Sequence, residues 1–409
     1  MPSLETDTYK VVEDYQRCDD DGTSEKKRIV ISFDGTGADP TWGLQTSTDL
    51  YKSAGGLSNV CKFHLIAGGN IGNTHAEFKN QVPIYYSGVG TRGTFRTLKS
   101  TLGFGEMRDI YEMAYEDVEK IYKEGDEIFI FGFSRGAATA RLFASYLGEQ
   151  NVNGLKPIIA FLGVYDTVVE SLKFGVSEAI KNVDVKGKDS SLPECVKRAV
   201  HFVSIDETRS PFIPTLFNKD PYVTEVWCPG VHGDIGGGYY HDGLSDNILQ
   251  LMQMEAEKAG LVTRKITEDV CKNANHTLIA HHKEHKDRGL QKFDNDMKID
   301  PDASDPDIHN EFSSMYSVIN WLKGFTHRIM KVVEGDKPTE EPILLLDSTL
   351  ERIEKWKPAS CFDGVLQAPY EDGKYRPKNL VGIPYKIVSS KDMSVSDTVH
   401  TGFAGSGWE

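Results

Sequence analysis

The serine in Gly132-Phe-Ser-Arg-Gly136 is the residue of this chain best suited to act as a nucleophile. A β-prone run, Ile128-Phe-Ile-Phe131, leads into Gly132, and an alanine-rich stretch follows Gly136. Strand, sharp turn with serine at its tip, then helix is the layout of a nucleophile elbow. Glycines two residues before and after Ser134 are expected because a Cβ at either position crowds the turn. A helix starting just after Ser134 directs backbone N–H groups and the positive end of its dipole at the serine, which suits a developing oxyanion.

A serine of this kind needs a base and a group that orients the base, in the chain order serine, acid, histidine. Asp166 closes the apolar run Ile158–Tyr165, and an aspartate at the carboxyl end of a buried strand lies where sites form in parallel sheets. Asp206, at the end of Val200–Ile205, is its competitor. The base is expected at His232, within Trp227-Cys-Pro-Gly-Val-His-Gly-Asp-Ile-Gly-Gly-Gly-Tyr239. Glycines surround that histidine and Pro229-Gly230 breaks the chain before it, so the loop suits unusual backbone angles better than core packing. His201 lies inside an expected strand and reads as packed, and His241 as structural or pocket-lining. His281, His282 and His285 have a spacing that suits a metal, but a solvated face explains them better. The oxyanion hole needs the N–H after the nucleophile, that of Arg135, and one from a loop after an early strand. Asp34-Gly35-Thr36-Gly37 follows the first strand and supplies Gly35 and Thr36. A haloacid-dehalogenase-type phosphatase would need an aspartate where Ser32 stands, and an actin-like ATPase would need a second phosphate motif.

The elements that must hold these groups can be read along the chain. Residues 1–27 are polar and read as a flexible arm. Strands are expected at 28–33, 60–66, 84–86, 128–131, 158–165, 200–205 and 223–228. Helices are expected at 107–123, after the elbow to about 149, and at 244–259. Alternating strands and helices favour a mostly parallel sheet covered on both faces. Residues 28–264 then form the catalytic core with an insertion at 170–198. Charged residues 265–345 read as a cap or lid, and 346–409 as a C-terminal segment packing on the core.

Composition narrows the function classes. The 409 residues carry a net charge of −15, which argues against non-specific nucleic-acid binding and against docking on anionic lipid by charge alone. Six scattered cysteines contain no Cys-x-x-Cys pair, so reduced thiols are expected and a zinc ribbon is not. The start is acidic and polar, with no secretory signal, and no run of 18 apolar residues occurs. Synthesis as a soluble cytoplasmic protein is expected, with any export by a route that reads no cleavable signal.

Five ordered segments together resemble one family. They are Phe-Asp-Gly-Thr-Gly (33–37), Gly-Phe-Ser-Arg-Gly-Ala (132–137), Leu-Gly-Val-Tyr-Asp-Thr-Val (162–168), Ser-Ile-Asp-Glu (204–207) with Pro214-Thr-Leu216, and the histidine loop 227–239. The set, spanning roughly residues 28–260, resembles the domain-of-unknown-function 2235 family, which includes the first class of type VI secretion lipase effectors. The resemblance implies an α/β-hydrolase fold, a mostly parallel central sheet with helices on both faces and a cap or lid insertion. It implies a Ser134–Asp166–His232 triad that places Asp166 ahead of Asp206, with Asp34, Asp234 and Asp246 as support. It implies a phospholipase or lipase acting at a membrane surface without metal or organic cofactor, and an antibacterial effector with a secretion spike and an immunity protein as partners. The alternatives are another ester or amide hydrolase (short-chain esterase, polyester depolymerase, cell-wall amidase) or a catalytically silent hydrolase fold. Phe174, Val176, Phe212, Ile213, Leu216 and Phe217 are apolar residues suited to a lid, an acyl pocket or the core.

Overall fold

A computed structural model describes residues 26–38, 56–70, 78–89, 105–169, 192–239, 242–267, 269–270, 299–302, 308, 327–335, 337–355, 370–371 and 374–402. A nine-stranded sheet organises them. Its strands are β1 (Arg28–Phe33), β2 (Gln81–Tyr86), β3 (Glu127–Phe133), β4 (Ile158–Tyr165), β5 (Ala199–Ser204), β6 (Val223–Cys228), β7 (Ile343–Leu346), β8 (Pro384–Val388) and β9 (His400–Thr401). Their order across the sheet is 2-1-3-4-5-6-7-8-9. Every neighbouring pair is parallel except β8–β9 at the edge. This is the α/β-hydrolase fold, with its parallel sheet buried between helices.

Period-two alternation explains why β3 reads as an unbroken apolar run. Phe129 and Phe131 point to one face and join Phe63, Leu249 and Met252. Ile128 and Ile130 point to the other and join Ile110, Val118, Phe143 and Leu147. The first face is covered by α1 (Asn59–Ile66) and α5 (Gly243–Lys258), the second by α2 (Gly105–Ile121) and α3 (Arg135–Gln150). A strand buried on both faces has no polar side to show.

Two expectations change. Residues 60–66, expected as a strand, are α1, capped by Ser58, whose Oγ accepts from the Cys61 N–H at 3.0 Å. All eight residues of this helix are buried. A helix buried all round shows no polar stripe, so a short apolar run there cannot be told from a strand by periodicity. Its one cation, Lys62, is paired with Asp242 and Asp246 at the start of α5. The second change concerns the region expected as a cap. Residues 343–346 are a strand of the sheet, so a boundary at 345 runs through β7. Beyond it, β8 and β9 extend the same sheet. The insertion at 170–198 and the span 265–345 lie largely outside the described residues.

Candidate active site

The carboxyl ends of β1, β3, β4 and β5 meet the loop after β6, and the candidate residues collect there. Ser134 follows β3 directly and has φ 57°, ψ −124°, a backbone shape that side-chain-bearing residues seldom adopt. The turn holds it: the Ser134 N–H donates to Tyr165 O at 3.0 Å, and its carbonyl accepts from Val168 N–H at 3.3 Å. A Cβ on Gly132 would stand 2.5 Å from Gly136 O, and one on Gly136 would stand 2.3 Å from both Phe33 O and Asp34 O. The two glycines therefore let α3 start against β3 and the end of β1. Ser134 is buried to 5% exposure.

Asp166 also has a positive φ, 41°, immediately after β4. Its N–H donates to Phe202 O at 2.8 Å, and the next N–H, of Thr167, donates to His201 Nε2 at 3.0 Å. Because Nε2 accepts, Nδ1 of His201 carries the proton and donates to Glu225 at 2.8 Å. His201 is thus packed in its strand as expected, and it also holds the turn that presents Asp166. The carboxylate of Asp166 accepts from His232 Nδ1 at 2.6 Å, from Ser204 N–H at 3.0 Å, and from Arg328 at 2.6 and 2.8 Å. Burial alone would push this carboxyl up; the Arg328 guanidinium and the His232 hydrogen bond overcome burial and hold it below the usual carboxylate range.

His232 opens the short helix α4 (His232–Gly236, between β6 and α5 in the chain). Its ring lies 4.6 Å from that of Phe133, the residue before Ser134, and 4.9 Å from that of Phe212 at 71°. The His232 N–H is 3.3 Å from Glu207, a buried carboxylate forked by Arg209 at 2.9 and 2.7 Å. Burial would raise the Glu207 carboxyl, and Arg209 holds it low. Arg209 in turn lies 3.6 Å over the Phe212 ring.

The expected oxyanion loop is tied down by Asp34. Its carboxylate accepts from Gly35 N–H at 2.6 Å, from Ser58 Oγ at 2.6 Å, and from Tyr85 OH. The Gly35 N–H expected as an oxyanion donor is therefore already engaged. Gly37 N–H is bonded to Val89 O. Thr36 is joined to the elbow through its hydroxyl, which accepts from Arg135 Nε. The Arg135 N–H lies in the first turn of α3, at the positive end of its dipole.

The remaining candidates separate from the histidine. Asp206 accepts from Gly230 N–H at 2.7 Å and Tyr375 OH at 2.9 Å, and so pins the histidine loop without bonding the ring. Asp234 accepts from Val231 N–H at 2.9 Å and caps α4. Asp246 bonds Lys62 at 2.9 Å and Asp300 N–H at 2.7 Å, so it ties α1 to α5. Leu216 and Phe217 are core, Ile213 is half exposed, and Phe174, Val176, His241, His281, His282 and His285 lie outside the described residues. Sequence reasoning missed Arg328, Arg209 and Glu207. The first two lie in no motif, and Glu207 follows Asp206 in the 204–207 segment with nothing local to mark its role.

Comparison with known proteins gives these findings. A family model described as T6SS, phospholipase effector Tle1-like, catalytic domain, matches residues 27–153 and 148–255. The uncharacterized protein YEL023C of Saccharomyces cerevisiae is 22% identical over 255 residues, which is 50% of this chain and 35% of that protein. The chain thus spans about a third of the length of that curated relative. An uncharacterized Pseudomonas aeruginosa protein is similar in structure with TM-score 0.42 and 19% identity, over 72% of this chain and 56% of that one. The Tle1 effector bound to the VgrG spike of the type 6 secretion system gives TM-score 0.40 and 16% identity, over 67% and 84%. A soluble variant of Saccharomyces cerevisiae monoglyceride lipase with a substrate analog gives 0.30 and 10%, over 58% and 88%.

Proposed function

The chain belongs to the Tle1-like phospholipase effector family of the type VI secretion system, through its catalytic domain, and from that premise we propose that it hydrolyses phospholipid esters with Ser134 as nucleophile, His232 as base and Asp166 as the acid that orients it. The observation that carries this reading is the 2.6 Å bond from His232 Nδ1 to Asp166, on a ring 4.6 Å from that of Phe133, the residue before Ser134 in its elbow. Asp166 fixes the tautomer, so His232 Nε2 takes the Ser134 proton as Oγ attacks the ester carbonyl. Oxyanion stabilisation falls to the N–H groups of Arg135 and Thr36, with the bonded Gly35 holding the loop's shape. The proton then passes from His232 to the leaving alcohol, lysophospholipid or glycerophospho-alcohol. Water, deprotonated by His232, attacks the acyl-Ser134 ester; free fatty acid leaves and Ser134 regains its proton. No step in this scheme uses a metal or organic cofactor.

The effector role follows from the same family: export on a secretion spike, an antibacterial action on membranes, and an immunity protein in the producing cell. The division into arm, core, cap and C-terminal segment is part of this reading, with the C-terminal segment starting at β7 and continuing the core's sheet. Ser134→Ala tests the chemistry. It should fold as wild type, lose fluorophosphonate labelling, and release no fatty acid from phosphatidylethanolamine or phosphatidylglycerol vesicles by mass spectrometry. Retained release by that variant sinks the mechanism. Labelling of wild type without release from any phospholipid sinks the substrate class and leaves the serine chemistry standing.

A further inference from the structure

Arg328 lies outside the residues matched by the family model, 162 positions from Asp166 in sequence, yet it makes the closest charged contacts to that carboxylate. Nη1 donates to Asp166 Oδ1 at 2.6 Å and Nη2 to Oδ2 at 2.8 Å. The same two nitrogens reach Ser204 O at 2.9 Å and Phe212 O at 2.6 Å. The guanidinium therefore ties together the end of β5, the acid, and the residue whose ring stands against His232. Its side chain is 2% exposed, so this is a buried fork and not a surface ion pair.

A guanidinium on both carboxylate oxygens has two separable effects. The fork fixes the plane of the carboxylate, and with it the direction of the Asp166–His232 bond. The charge offsets the carboxylate, which otherwise stabilises a protonated imidazole beside it and keeps the base occupied at low pH. Other charges near the ring do not replace it. Glu207 faces the His232 N–H but is neutralised by Arg209. Asp234 and Asp206 are turned to the Val231 and Gly230 N–H groups, and Cys228 is a buried neutral thiol.

We propose that Arg328 is a positioning residue of the active site, supplied from beyond the family's catalytic segment: its fork aims Asp166 at His232, and its charge keeps the base free of a proton into mildly acidic conditions. This rests on the reading of Asp166 and His232 as acid and base, so Asp166→Asn is the control. The pH dependence of kcat/KM and the value of kcat are measured with p-nitrophenyl butyrate, a soluble ester that needs no lipid surface. Arg328→Gln removes the charge and keeps one donor; its acidic limb should move up by about one pH unit. Arg328→Lys keeps the charge and loses the fork; its limb should stay in place while kcat falls about 10- to 100-fold at unchanged KM. Circular dichroism and melting report the fold of each variant. If Arg328→Gln does not fold, Arg328→Lys carries the test, and wild-type kcat there overturns the proposal. Loss of activity in Asp166→Asn with wild-type limb and kcat in both Arg328 variants makes Arg328 a core contact only, and also overturns it. Wild-type activity in Asp166→Asn overturns the acid assignment itself, and this inference with it.

Discussion

Burial pushes the carboxyls of both Asp166 and Asp206 up, and their partners decide where each ends. Asp166 has one guanidinium, that of Arg328, across both oxygens and stays ionised. Asp206 has two neutral donors, the Gly230 N–H and the Tyr375 hydroxyl, and burial pushes it up to about 7. An acid whose folded value is raised binds its proton more tightly in the native state, so stability is greatest below the unfolded value near 4 and falls as pH rises toward 7. Asp166 runs the other way: its contribution is present above the unfolded value and is lost only in strong acid. Asp206→Asn should therefore match wild type near pH 4 and exceed it above pH 7 by a few kcal/mol, about 4 at most. Urea melts of the two proteins across that range decide it. Parallel curves mean that Asp206 does not feel its burial in this way.

At the scale of elements, the elbow depends on how closely α3 can start against the end of β1. Gly136 has no unusual φ, so the demand is one of space. Its Cβ would meet the Phe33 and Asp34 carbonyl oxygens at 2.3 Å, and neither is the end of a flexible side chain. Gly136→Ala should push α3 away, cost about 1–3 kcal/mol, and lower fluorophosphonate labelling far more than the melting temperature. Labelling equal to wild type would mean that the turn has slack that its geometry does not reveal. This element was readable in the sequence because the turn imposes its own residue types: two glycines, a serine, and apolar runs of strand and helix character. His232 was readable for the same reason, in a glycine-rich loop that packing does not explain. The helix at 59–66 was not, because a helix buried on every side loses the polar stripe that marks a helix. Its signals were Ser58, an N-cap type, and Lys62, a charge no strand interior should bear, but the lysine makes sense only once Asp242 and Asp246 of α5 are beside it. Arg328 left no local trace at all, since its role is set by two carbonyls and a carboxylate that meet only in the folded chain.

For the whole molecule, the open question is whether the segment matched by the family model, ending at 255, is a folding unit. The sheet argues that it is not. β6 bonds onward to β7 through Val226–Leu344 and Trp227–Leu345, and β8 and β9 continue from there. The later residues also reach back toward the site: Asn379 donates to Ile205 O at 2.9 Å, Tyr375 bonds Asp206, and Arg328 bonds Asp166. A chain ending at Arg264 keeps Ser134, Asp166 and His232. It also exposes the edge of β6, uncovers the buried Trp227 and leaves the Asp166 carboxylate without its guanidinium. An unpaired strand edge is a template for association between copies. A buried carboxylate stripped of its cation costs about 3–5 kcal/mol, a large part of the stability of a typical domain. The truncated chain should therefore be recovered in aggregates and, where soluble, should fail to label with a fluorophosphonate. A monomer that unfolds cooperatively near the wild-type temperature and labels at the wild-type rate would show that residues 28–264 stand alone, and that the C-terminal strands are an addition to the catalytic core and not a part of it.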